Sequence, residues 1–106
     1  MKTIIKGNQE LLYFNRIQIQ QIDEDGWIHP KEKLDKDSTI SISEKTMTIK
    51  TENRSEVVIE DLKQISTNYY SGSFKSNPVV IVRSNTDMVF LFKNELKETI
   101  SIEIFK

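Results

Sequence analysis

Two short runs, Val79-Val80-Ile81-Val82 and Met88-Val89-Phe90-Leu91-Phe92, hold the densest apolar content of this chain. Both are rich in β-branched and aromatic residues, the composition of buried strands. With Ser84-Asn85-Thr86-Asp87 as the connection, a tight hairpin sets Arg83 opposite Met88, Ile81 opposite Phe90 and Val79 opposite Phe92. Val80 and Val82 then share the other face with Leu91 and Val89, so the hairpin is apolar on both sides. Such a hairpin is expected in the middle of a small β fold, with both faces hidden from water. Composition agrees: the chain has no alanine, the best helix former, and abundant Ile, Val and Thr.

The rest of the chain reads as further short strands. In Glu10 to Ile22, the Ile-Gln-Ile-Gln alternation favours a strand, and a bulge near Asn15 accounts for early residues that are apolar on both faces. Asp23-Glu24-Asp25-Gly26 is a turn, Trp27 is expected to plug a barrel, and Lys31 to Asp37 reads as a solvated loop or one helical turn. The clearest period-2 signal runs from Thr39 to Ile59. It pairs Ile42 with Met47 and Ile40 with Ile49, then sets Val57 and Ile59 beside Ile49 and Met47. A one-residue slip would bring Thr and Ser into the core, so the pattern itself fixes the register. Asp61 to Ile65 reads as a helical turn or another strand. Asn68 to Pro78, with Ser71-Gly72-Ser73, reads as a loop or hairpin tip carrying Tyr70 and Phe74 on its arms. Alternation and β-branched content favour a last strand over Thr99 to Phe105, against a helix with Leu96, Ile100 and Ile104 on one stripe. In that strand Ile100, Ile102 and Ile104 point one way and Ser101, Glu103 and Phe105 the other.

These elements predict an all-β fold: a small antiparallel meander of about six to eight short strands closed into a barrel or folded into a sandwich, with at most one short helix. One domain covers residues 1–106, a length that suits one modest core. The run Val57-Val58-Ile59-Glu60-Asp61-Leu62-Lys63-Gln64-Ile65, followed by two strands, resembles the middle of bacterial pleckstrin-homology-like domains. Those domains end in a helix, where this chain alternates as a strand. The early Trp27, the Thr39–Ile59 meander and a terminal strand are similar to short lipocalin-like barrels. Gly26 directly precedes Trp27, however, where lipocalins carry Gly-x-Trp. Neither resemblance carries a functional residue across.

Motifs for chemistry are sparse. His29 is the single histidine, which excludes multi-histidine zinc sites and leaves one general-base candidate without a Gly-x-Ser-x-Gly elbow. Asp23-Glu24-Asp25-Gly26 opens like a calcium loop, but Trp27, His29 and Leu34 stand where later oxygen ligands belong. There is no cysteine for a disulfide or thiolate site, and no metal or cofactor is expected. A net charge of −1, from 15 basic and 16 acidic side chains, gives no field for nucleic acid or an anionic membrane. The start, with two isoleucines between Lys2 and Lys6, is too short for a signal-peptide core, so a cytoplasmic location is expected.

The expected function is therefore a non-enzymatic module that binds a protein partner, of accessory, inhibitor or immunity type. Its contact residues would be Tyr69, Tyr70, Phe74 and Lys75, or else an exposed sheet edge at Thr99–Phe105 or Thr3–Lys6. An alternative is a barrel that holds a small apolar molecule in a cavity lined by Trp27, Met47, Phe90, Phe92 and Ile102. A third reading, an enzyme that depends on His29, requires an activity lost in His29→Ala.

Overall fold

The computed structural model describes residues 2–52 and 54–106, and only the backbone for Lys2, Lys6 and residues 32–37. The strands are β1 (Lys2–Lys6), β2 (Gln9–Ile22), β3 (Ile28–Ile42), β4 (Met47–Thr51), β5 (Arg54–Ser66), β6 (Tyr69–Phe74), β7 (Asn77–Arg83), β8 (Met88–Lys93) and β9 (Thr99–Phe105). Each pairs antiparallel with the next, and β2 also pairs with β9, so the eight strands β2–β9 close into a barrel. No helix is present among the described residues, and hence none that is long and apolar enough to cross a membrane.

Closure depends on β2. Its first half pairs with β1 on one side, its second half with β9 on that same side, and β3 runs along the other. The register shifts between Phe14 and Arg16, a bulge at Asn15. There the backbone N–H groups of Asn15 and Arg16 both donate to the Lys106 carbonyl at 3.2 Å. The extra residue keeps Leu12, Phe14 and Ile17 all inside, although strict alternation would turn Ile17 outward.

The two principal hairpins adopt the pairings expected from their apolar patterns: Ile42 with Met47, Ile40 with Ile49, Val79 with Phe92, Ile81 with Phe90 and Arg83 with Met88. An eight-stranded barrel is just wide enough for side chains to fill it. Leu12, Ile40, Met47, Ile59, Ile81 and Phe90 are all 0% exposed inside. Phe105 meets Phe14 and Phe90 edge-on, with centroids 5.9 and 5.5 Å apart.

Several expectations are corrected. Residues 31–37 belong to β3 rather than to a loop or helical turn. The Ile28–Leu34 part of β3 pairs with β2 alone, because β4 joins only from Thr39 onward. Pro30 is tolerated in this strand because the outer edge there makes no ladder that needs its missing N–H. Asp61 to Ile65 continues β5 through register shifts, with Asp61 at φ 52°. The Ser71-Gly72-Ser73 stretch is the middle of β6, not a loop. Gly72 is there for close approach: an added Cβ would stand 2.5 Å from Ile59 Cγ2 and 2.9 Å from the Glu60 carbonyl oxygen. The turn lies further on, at Lys75 and Ser76, both left-handed at φ 50° and 70°, as a two-residue hairpin turn requires. β9 is paired on both sides and offers no edge, whereas β1 pairs with β2 alone. Finally, the β7–β8 hairpin is not hidden on both faces. In a closed barrel one face looks inward and the other lies on the outside.

Candidate functional site

Two surfaces stand out, and both arise from how β9 is seated. Its register sets Phe105 opposite Met88 and Glu103 opposite Phe90, so Ser101, Glu103 and Phe105 face the interior. Phe105 is 0% and Glu103 6% exposed. Ile102 and Ile104 accordingly point outward. They join Val80, Val82, Val89 and Leu91 in two cross-strand rows, Val82–Val89–Ile104 and Val80–Leu91–Ile102, all half-exposed. Tyr69 extends the first row beyond Val82, and Gln18 and Gln20 of β2 border the rows beyond Ile104 and Ile102. The outside of β7, β8 and β9 is thus an uncharged aliphatic face with a polar border. On an exposed antiparallel sheet the outward positions are ordinarily polar.

The second surface is the barrel mouth below β9. Glu103, placed among the phenylalanines, requires a cation, and Arg54 supplies it. Nη1 and Nη2 of Arg54 donate to Oε2 and Oε1 of Glu103 at 3.0 and 2.6 Å, a bidentate fork. Arg54 reaches the interior through another bulge. Thr51 pairs with Arg54 and Ile49 with Val57, so β5 spends one residue more than β4 over that interval. Without the extra residue Arg54 would point out into water. Arg54 Nε is buried with no acceptor among the described residues. Above the pair opens a cleft of about 420 Å³ with apolar walls that include Val57, Phe74, Pro78, Val79, Phe92 and Ile100. Ile100 enters because β8 and β9 shift register between Phe92 and Lys93, leaving it as the unpaired residue.

The opposite mouth is built differently. Arg83 Nη1 and Nη2 donate to Oε1 and Oε2 of Glu10 at 2.7 and 2.6 Å. The hydrogen bonds from Arg83 hold the Glu10 carboxyl below its ordinary value, against burial, which raises it. Glu10 in turn raises the Arg83 pKa, opposed by burial and aided by Tyr70. The partner of Arg83 is Glu10, 73 residues away in the chain.

Of the aromatic and basic group at residues 69–75, only part is available to a partner. Tyr69 is 50% exposed, but Tyr70 is a core residue at 6%. Phe74 packs edge-on against Phe92, centroids 5.8 Å apart, with Lys75 Nζ 5.3 Å from its ring centre. The residues expected to line an apolar cavity are likewise dispersed. Met47 and Phe90 lie in the packed core, Phe92 borders the mouth cleft, Ile102 points outward, and Trp27 is 71% exposed at the tip of the β2–β3 hairpin. Trp27 is therefore no barrel plug.

Beside Trp27, His29 Nε2 lies 2.9 Å from Asp23 Oδ2. The other oxygen of Asp23 accepts the N–H groups of Asp25 and Trp27 at 3.0 and 2.9 Å. The His29 contact, with those two N–H bonds, lowers the Asp23 pKa. This carboxylate organises the hairpin turn. No cluster of three or more potential metal-ligating His, Cys, Asp or Glu side chains occurs among the described residues. The outward aliphatic rows were legible as an apolar second face, but the bulge that turns Arg54 inward left no signal in the sequence. No family model, no curated protein and no solved structure matches this chain.

Proposed function

We propose that this protein is a non-enzymatic binding module whose contact face for a protein partner is the outside of β7, β8 and β9. The observation that carries this reading is the seating of β9: a glutamate is held in the core by a bidentate arginine while two isoleucines face water. Turning β9 over would bury both isoleucines and free the glutamate but would expose Phe105, so the observed seating keeps the aromatic core at the cost of one buried ion pair and leaves the outer face apolar. Sequence-level consistency is ordinarily broken in this way where function requires it. Three adjacent strands with two aliphatic rows make a patch of a few hundred Å², the scale of an interface core rather than of a whole interface of about 800 Å² per partner. Gln18, Gln20 and Tyr69 supply a hydrogen-bonding border around it.

The partner this face fits is a protein with an uncharged apolar contact surface. The test compares wild-type protein with Leu91→Lys and Ile102→Lys as baits in the native host, alongside sedimentation of each alone. A partner retained by wild type and lost by both variants supports the proposal. A dimer seen only for wild type would identify that partner as a second copy. Equal retention by all three baits, or no partner and no dimer at all, would overturn it.

A further inference from the structure

We propose that the Arg54–Glu103 mouth of the barrel is a separate binding site for an amphipathic anion, a medium-chain carboxylic acid with its tail in the cleft and its head at the rim. The cleft, about 420 Å³, is within the size range of small-molecule sites. Much of its lining is apolar: Val57, Val79 and Phe92 are buried core residues, joined by the half-buried Phe74 and Pro78.

Charge decides the head group. Four charged side chains border the cleft: Arg54, Lys75, Lys93 and Glu103. Both oxygens of Glu103 are already engaged by Arg54, so that pair is internally neutral. Two cations are left. Lys93 Nζ donates to the Thr99 hydroxyl at 3.2 Å, and Lys75 Nζ stands over the Phe74 ring. Neither is salt-bridged to a carboxylate among the described residues. An apolar slot with two uncompensated ammonium groups at its lip is complementary to a carboxylate carrying a hydrocarbon chain, and mismatched to a cation or a neutral polar solute. The other mouth presents no such match: beside Ile42, Leu62 and Tyr70 its charged lining residues are Glu10 and Glu44, with no lysine.

Isothermal titration with sodium decanoate and with decanol, paired with amide chemical-shift mapping, tests the site without requiring any variant. Decanoate is expected to bind about tenfold more tightly than decanol, with shifts at Val57, Phe74, Phe92 and Ser101. The Lys75→Met/Lys93→Met protein, with Lys75 exposed and Lys93 half-buried, is expected to lose that preference while still binding decanol. Equal affinity of the wild type for the two probes would overturn the proposal. So would a decanoate preference that survives in the double variant, shifts confined to the Glu10 mouth or to the outer face of β7–β9, or no binding of either probe. Because the outer face lies elsewhere, the mapped shifts tell failure of this site apart from failure of the protein-binding reading, which the bait comparison tests.

Discussion

Replacing Arg54 by methionine removes the hydrogen-bonding partner of a carboxylate that has almost no water of its own. The Glu103 side chain is 8% exposed, against 30% for Arg54, so the two members of the pair are unequal. Leaving Glu103 charged and unpaired is expected to cost about 3–5 kcal/mol. The reciprocal change, Glu103→Gln, leaves a guanidinium that water can reach and keeps an oxygen acceptor, and should cost about 1–2 kcal/mol. Replacing both, as Arg54→Met/Glu103→Leu, removes the buried charge and should cost less than Arg54→Met alone. Against a total of about 5–15 kcal/mol for a domain of this size, the asymmetry is large. With a urea dependence of about 2 kcal/mol per molar, the Arg54→Met midpoint should fall by about 2 M and that of Glu103→Gln by less than about 1 M. Urea unfolding at neutral pH, with the slope checked for constancy, measures all three variants. A Glu103→Gln cost equal to that of Arg54→Met, or a double variant no more stable than Arg54→Met alone, would refute this account of the pair.

Other changes test other parts of the fold. The Glu10 pKa is depressed, so the stability it contributes is complete above the ordinary glutamate range and is lost as pH falls through the lower folded value. Glu10→Gln should therefore be less stable than wild type at pH 7, and the two melting curves should converge below about pH 4. Gly72→Ala drives a methyl group into Ile59 and the Glu60 backbone and should cost about 1–3 kcal/mol by chemical denaturation. Ser76→Gly relieves a left-handed residue at the β6–β7 turn and should raise stability by about 1 kcal/mol, read as a higher melting temperature. The Ser38 hydroxyl is buried without a partner among the described residues, so Ser38→Ala should be neutral or stabilising in the same assay.

Alternating apolar residues were enough to define the β class and the registers of the hairpins around Ser43–Thr46 and Ser84–Asp87. In a strand the period is two, and a slip exchanges every inward side chain for an outward one. Asn15 was legible for the same reason, since only an added residue reconciles Phe14 with Ile17. The candidate site was less legible. Tyr70 and Phe74 looked like loop aromatics because Ser71-Gly72-Ser73 has the composition of a turn. Those small side chains instead allow β6 to pass close to the bulged part of β5, a contact between distant stretches of chain.

The sequence by itself determined that this chain forms paired antiparallel strands and which residues face each other within the local hairpins, because those choices depend on neighbours a few residues away. Only the tertiary structure decided which side of β9 faces inward. That choice is set by the β2–β9 and β8–β9 ladders acting together, since alternation separates the isoleucine face from the Ser101–Glu103–Phe105 face without deciding which is buried. The same closure fixed the partners of Arg54 and Arg83, 49 and 73 residues away in the chain. Long-range ion pairs follow from where a barrel closes, and the two mouths differ because each ends on a different set of strands.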